Sequence, residues 1–162
     1  MADDTVNANP VTGIIIVDHG SRRAASNDML LVAVDNFLQR STWDIVEPAH
    51  MELAQPDIAT AFRRCVERGA QRVIVFPYFL SPGRHWNEDI PNLVRAAASG
   101  FPDVDWLVTA PFGLHRGMSG IISDRISQCL KVAHGGSVDC DVCGDGSKCQ
   151  LQTADSDRPP TA

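Results

Sequence analysis

Two histidines and a glutamate carry the chemistry most plainly written in this sequence: His19, Glu52 and His85. Each follows a short apolar run that reads as a strand, so three consecutive strand ends deliver a group that binds metal or accepts a proton. Imidazole titrates near neutral pH and ligates divalent metals through a neutral nitrogen. A carboxylate takes protons or supplies an oxygen ligand. Two imidazoles with one carboxylate suit Fe²⁺, Co²⁺ or Zn²⁺. Any one of them alone is more often a surface or capping residue, and Glu52 alone reads equally as a solvated residue before a helix. Their shared position at strand ends is what favours function.

A second set lies near the end of the chain. Cys140-Asp141-Val142-Cys143, five residues and Cys149 give C-x₂-C-x₅-C. Thiolates at such spacing hold Zn²⁺ or an iron–sulfur cluster. The pattern matches neither a zinc ribbon nor the plant-type ferredoxin spacing. A fourth ligand must come from Cys129, Cys65, a non-cysteine group or a partner chain. Cys129 is favoured within the chain, because Cys65 falls inside a helix and reads as a buried apolar thiol. A redox-switched disulfide and an adventitious zinc site are the competing readings.

These groups need elements to position them. Residues 12–18 are β-branched and continuously apolar, as in a strand covered on both faces of a parallel sheet. Apolar positions then recur at helical spacing from Ser26 to Arg40, with Ser26 or Asn27 available as the cap. Residues 43–49 form a weaker second strand. Pro56-Asp57-Ile58 opens a second helix, which ends at Gly69. Residues 72–79 form a third strand, and a helix covers roughly 86–99. A fourth strand at 104–108 precedes a last helix over roughly 117–131. The order βαβαβαβα predicts an α/β fold, a four-stranded parallel sheet flanked by helices in a flavodoxin-like half-domain. Ligands of such sheets bind at the carboxyl ends of the strands, where His19, Glu52 and His85 lie. The expected organisation is a flexible N-terminus over 1–10, a folded domain over 11–133 and a cysteine-rich tail over 134–162.

Composition narrows the function classes. The 162 residues are 44% hydrophobic and carry a net charge of −6. That charge argues against a nucleic-acid partner, which requires a positive surface. A polyanionic ligand would need a local cluster of Arg or His instead. No apolar run approaches the ~20 residues of a membrane span. Met1-Ala2-Asp3-Asp4 lacks the basic region of a secretory signal and is too acidic for a transit peptide. Five cysteines, an odd number, fit a metal or redox role better than a disulfide framework. The sequence contains no G-x-S-x-G elbow, P-loop or G-x-G-x-x-G. A strand followed by His-Gly also opens histidine phosphatases, but there Arg precedes the His, where this chain has Asp18.

Four ordered segments resemble a known family. They are Val17-Asp18-His19-Gly20-Ser21-Arg22, the segment Glu47–Pro56, the segment Phe76–His85 with Asp89-Ile90-Pro91, and Ala110–His115. The family is the small class II chelatases, which insert metal into sirohydrochlorin, and the resemblance covers roughly residues 12–132. It implies that His19 and His85 are the metal-binding and proton-accepting histidines. Glu52 is then the acidic residue that helps take the pyrrole protons or guide the metal. The reaction implied is insertion of Fe²⁺ into sirohydrochlorin to give sirohaem, with release of two protons and no organic cofactor. The macrocycle carries eight carboxylates, for which Arg22, Arg23 and Arg84 are the candidate contacts, with His115 a further one. A chain of this length matches half of the two-lobed members, which implies a homodimer.

The cysteine tail resembles the extension of plant members of this family, which implies a [2Fe–2S] cluster on Cys140, Cys143, Cys149 and Cys129, and a plastid location. Within the family the alternative is a cobalt chelatase of cobalamin synthesis. Outside enzymes, the alternatives are a tetrapyrrole or metal carrier, which binds without turnover, and an electron-transfer domain, which has no need of His19 or His85.

Overall fold

The apolar run after Pro10 forms the central strand β1 (Thr12–Asp18), in which the five residues between its ends are buried. It is buried on both sides because both faces of the sheet are covered. Ile15 and Val17 face one core with Ile58, Phe62, Val73, Val75, Ile90 and Val94. Ile14 and Ile16 face the other with Leu30, Val34 and Val46. The alternation is the two-residue period of a strand. The computed structural model describes residues 9–133, 136 and 140–144.

Four strands, β1, β2 (Ile45–His50), β3 (Arg72–Pro77) and β4 (Asp105–Val108), pair in the order β2-β1-β3-β4, all parallel. The helices are α1 (Ala24–Arg40), α2 (Ile58–Glu67), α3 (Ile90–Ala98) and α4 (Gly117–Ala133). Leu30 and Val34 of α1 pack on one face of the sheet, and α2 and α3 cover the other through Phe62 and Val94. With β2 and β3 on either side of β1, the loops after three adjacent strands share one rim. This is the four-stranded parallel α/β sheet expected from the alternation of strand and helix. The chain divides into two compact units, Met1–Gly113 and Leu114–Ala162, so the break falls before α4.

Local departures from the expected elements have physical causes. Helix α1 begins at Ala24, and its N-cap Arg23 makes no side-chain cap hydrogen bond. Asn27 is not the cap, because its amide is committed to Ser21: it accepts the Ser21 N–H at 2.9 Å and donates to the Ser21 carbonyl at 2.8 Å. The helix expected over 86–99 opens instead with a π-helical turn, His85–Asp89, before α3. A π turn is a single-turn insertion found frequently at functional sites.

Helix α2 is capped as its sequence dictates. Asp57 accepts the Thr60 N–H at 2.8 Å. Hydrogen bonds from the side chain and backbone of Thr60 hold the Asp57 carboxyl below its ordinary value. A depressed carboxyl contributes stability above its unfolded pKa and loses it as pH falls through the folded one. Replacing Asp57 with Ala is expected to cost about 1 kcal/mol at neutral pH. The penalty should shrink as the pH drops below about 4. Urea unfolding of both proteins at pH 7 and pH 3 checks the sign.

Candidate active site

The rim above β1 and β2 is welded by one carboxylate. Asp18, the last residue of β1, offers Oδ1 to the Nδ1 of His50 at 2.6 Å and accepts the Gly20 N–H at 2.9 Å. His50 closes β2 and is 1% exposed. A buried imidazole needs a partner of this kind, since an unsatisfied buried donor costs about 1–3 kcal/mol. Beyond the strand ends the pairing continues: Met51 N–H donates to the Asp18 carbonyl at 2.8 Å and Glu52 N–H to the His19 carbonyl at 3.1 Å. His19 and Glu52 are thereby held side by side.

Their side chains meet. His19 Nε2 lies 3.1 Å from Glu52 Oε1, and Nδ1 lies 3.2 Å from the Gly20 carbonyl. The two groups are within hydrogen-bond reach, so a proton can pass between Nε2 and Oε1. The backbone around Glu52 is tightly turned. Ala54 N–H donates to the Glu52 carbonyl at 2.8 Å across Leu53, whose φ is 65°. Left-handed backbone at a non-glycine residue is strained, and such strain clusters at functional sites.

The third loop brings His85 to the same place. Its ring centroid lies 5.1 Å from that of His19, with the planes 76° apart, and 6.4 Å from Phe79 in a stacked arrangement. His85 Nδ1 meets Asp89 Oδ2 at 2.8 Å, across the π turn. The turn is anchored by Trp86, whose Nε1–H donates to the Thr109 carbonyl at 2.8 Å. An open cleft of ≈ 400 Å³ is lined by Met51, Glu52, His85, Asp89, Asn92 and Leu93.

The three groups read from the strand ends are thus neighbours. Each is also engaged with a partner, and among the described residues no three His, Cys, Asp or Glu side chains form a preset metal cage. Arg22 and Arg23 are exposed on the loop after His19. Arg84 is exposed beside His85 and contacts its own helix, with Nε 3.5 Å from Glu88 and 3.9 Å from Asp89. His115 belongs to the second unit, where its Nδ1 accepts the Gly117 N–H at 3.1 Å. Asp18, His50 and Asp89 were not picked out from the sequence as site residues. The carboxylate next to His19 and the carboxylate four residues after His85 were the signals available.

The second unit contains the described part of the cysteine set. Cys140 Sγ accepts the Cys143 N–H at 3.3 Å, and the turn closes with Gly144 N–H on the Cys140 carbonyl at 2.7 Å. Gly144 sits at φ 61°, which favours glycine. The backbone N–H groups of Cys143 and Val142 lower the Cys140 thiol below its ordinary value. Arg125 of α4 pairs with Asp141 through both guanidinium nitrogens. Cys129 lies one helical turn after Arg125 and is exposed. Cys149 lies outside the described residues. Cys65, in contrast, is fully buried, and burial pushes its thiol up to about 12. That is the inert core thiol expected of it, not a ligand.

Comparison with known proteins places the chain in a family. The family model described as CbiX matches residues 13–129. The chain belongs to the CbiX family. It is 51% identical over 139 residues to the chloroplastic sirohydrochlorin ferrochelatase of Arabidopsis thaliana, covering 86% of this chain and 62% of that one. It is 38% identical over 81 residues to a sirohydrochlorin cobaltochelatase of Methanocaldococcus jannaschii, covering 50% of this chain and 57% of that one. The chain therefore spans less than two thirds of either relative. Among solved structures, the sirohydrochlorin chelatase SirB from Bacillus subtilis subspecies spizizenii, in complex with cobalt, superposes with a TM-score of 0.67 at 27% identity. That match covers 72% of this chain and 50% of SirB. A CbiX protein from Marinobacter aquaeolei VT8 gives a TM-score of 0.66 at 25% identity, covering 75% of this chain and 98% of that one. The CbiX match takes in all three of His19, Glu52 and His85.

Gly20 is the position at which this site tolerates least. Its φ is 82°, and a Cβ there would lie 1.9 Å from the Glu52 carbonyl oxygen. The left-handed backbone alone costs an alanine about 1–2 kcal/mol, and the overlap forces the two loops apart. Gly20→Ala is expected to lower urea-unfolding stability by more than that amount and to separate His19 from Glu52, which a crystal structure of the variant would show.

Proposed function

We propose that this chain is a metal chelatase, lyase-type, that inserts Fe²⁺ into sirohydrochlorin to form sirohaem. The observation that carries the reading is the meeting of His19, Glu52 and His85 at one rim of the sheet, beside an open cleft. The 51% identity to the Arabidopsis enzyme supports iron as the metal. The reaction asks for little covalent chemistry. Fe²⁺ must shed water, and the macrocycle must lose two N–H protons. Imidazole nitrogens and a carboxylate held in place supply ligands for the first step and acceptors for the second. The exposed guanidinium groups of Arg22, Arg23 and Arg84 flank the two histidines and are suited to the substrate's carboxylates. A cobalt reading keeps its place because a cobaltochelatase is among the relatives, and histidine–carboxylate sets accept several divalent ions.

Three further assignments belong to this reading. A homodimer is supported by the match to half of SirB and to nearly the whole of the Marinobacter protein. A plastid location is supported by the chloroplastic relative. A [2Fe–2S] cluster is supported by the cysteine turn: Cys140 is biased towards the thiolate that metal ligation needs. Cys140, Cys143, Cys129 and Cys149 would hold it, and when bound it would supply one-electron chemistry. Replacing Cys140 and Cys143 together with Ser is expected to abolish bound sulfide and the visible absorption of the anaerobically purified protein, with chelation retained. Iron and sulfide analysis checks this.

The chelatase reading is tested anaerobically, by following the free-base spectrum of sirohydrochlorin with limiting Fe²⁺ or Co²⁺. Catalytic loss of that spectrum is expected, slowed about 10²–10⁴-fold in both His19→Ala and His85→Ala. Stoichiometric binding without turnover would favour the carrier. Full turnover in both variants would sink the site.

A further inference from the structure

The group that the proposed chemistry leaves without a task is Asp89. It sits at the end of the π turn, half-buried, with Oδ2 2.8 Å from His85 Nδ1 and Oδ1 3.9 Å from Arg84 Nε. It also lines the cleft next to His85 and Glu52. A carboxylate oxygen can only accept, so the contact requires that Nδ1 carry the hydrogen. The other nitrogen, Nε2, then presents its lone pair. Metal-binding histidines recurrently donate their second ring N–H to a carboxylate in this way, which fixes tautomer and ring orientation.

The π turn explains how one residue does this. A ring at position 85 and a carboxylate at position 89 are four residues apart. Trp86 pins the turn to the end of β4 through the Thr109 carbonyl. Stacking of the His85 ring with Phe79 holds the other side. The ring is thus fixed by packing on one face and by Asp89 at one edge. The Glu52 carboxylate meets His19 instead, through Oε1 at 3.1 Å.

We infer that Asp89 is a positioning residue for His85: it holds the ring in the Nδ1–H form, so that Nε2 is the atom offered to the incoming divalent metal. The inference rests on the chelatase reading for its purpose, but its physical content is the tautomer of one ring and the metal affinity of one nitrogen.

Both can be read without turnover. The ring nitrogens of His85 are observed by ¹⁵N NMR in the full chain, at a pH where the ring is neutral. Zn²⁺ is then titrated, being diamagnetic and taking the same nitrogen ligands. Because the signal is His85's own, metal bound by the cysteines does not register. The wild type is expected to show Nδ1–H. Asp89→Asn, which keeps an acceptor oxygen, should retain that form. Asp89→Ala should shift the ring to Nε2–H and weaken Zn²⁺ binding at His85 by about 10–100-fold. An unchanged thermal transition in Asp89→Ala separates this from unfolding. A wild-type ring in the Nε2–H form, or an Asp89→Ala protein with unaltered tautomer and Zn²⁺ affinity, would overturn the inference. Absence of chelation by a wild type that shows the Nδ1–H ring would overturn the proposed function and leave the role of Asp89 standing.

Discussion

The site depends on one carboxylate oxygen shared between two strands. Asp18 Oδ1 takes the ring of His50, buried at the end of β2, and the N–H of Gly20, at the start of the β1 loop. The first contact fixes where β2 ends relative to β1. The second bends the β1 loop back over that end. Only a residue without a Cβ passes there, because the Glu52 carbonyl lies where the Cβ would be. Together they set His19 against Glu52. A charge-assisted hydrogen bond in a partly buried position is among the stronger polar contacts a protein makes. Its loss would leave a buried imidazole without its partner, not merely a missing surface contact.

The two sides of the site are built differently. His19 and Glu52 stand on extensions of the β1–β2 ladder, held by backbone hydrogen bonds and by the Asp18–His50 contact. His85 stands on a single π turn, roughly half exposed, and its ring is held by Asp89 at its edge and Phe79 against its face, with Trp86 tying the turn to the Thr109 carbonyl. A His–Glu pair set by the strand ladder thus faces an imidazole set by a helical turn.

Much of this was legible in the sequence. A strand buried on both faces must be apolar at every position, and residues 12–17 are nearly so; alternation with helical segments then specifies a parallel sheet and a functional rim. His19, Glu52 and His85 could be read because each lies beyond the end of one of the strands of that sheet. The partners that orient them could not. Asp18 and His50 are 32 residues apart, and only the in-register pairing of β1 with β2 makes them neighbours. The π turn was not legible, because the residues that open it suit an α-helix equally and the contact of Trp86 with the Thr109 carbonyl is a tertiary one. The α1 cap was misread for the same reason, since Asn27 is drawn off by Ser21. The burial of Cys65 was legible because it shares the apolar face of α2 with Ile58, Ala61 and Phe62.

In the proposed chelatase, His19 and His85 together form the point of entry for a divalent metal. The most direct measurement is anomalous diffraction at the cobalt edge from crystals soaked anaerobically with Co²⁺. The account predicts a peak between the two rings, within about 2.0–2.2 Å of an imidazole nitrogen of each, with Glu52 turned from His19 towards the metal. A peak confined to the cysteine turn, or at the rim but bonded to neither histidine, would contradict it.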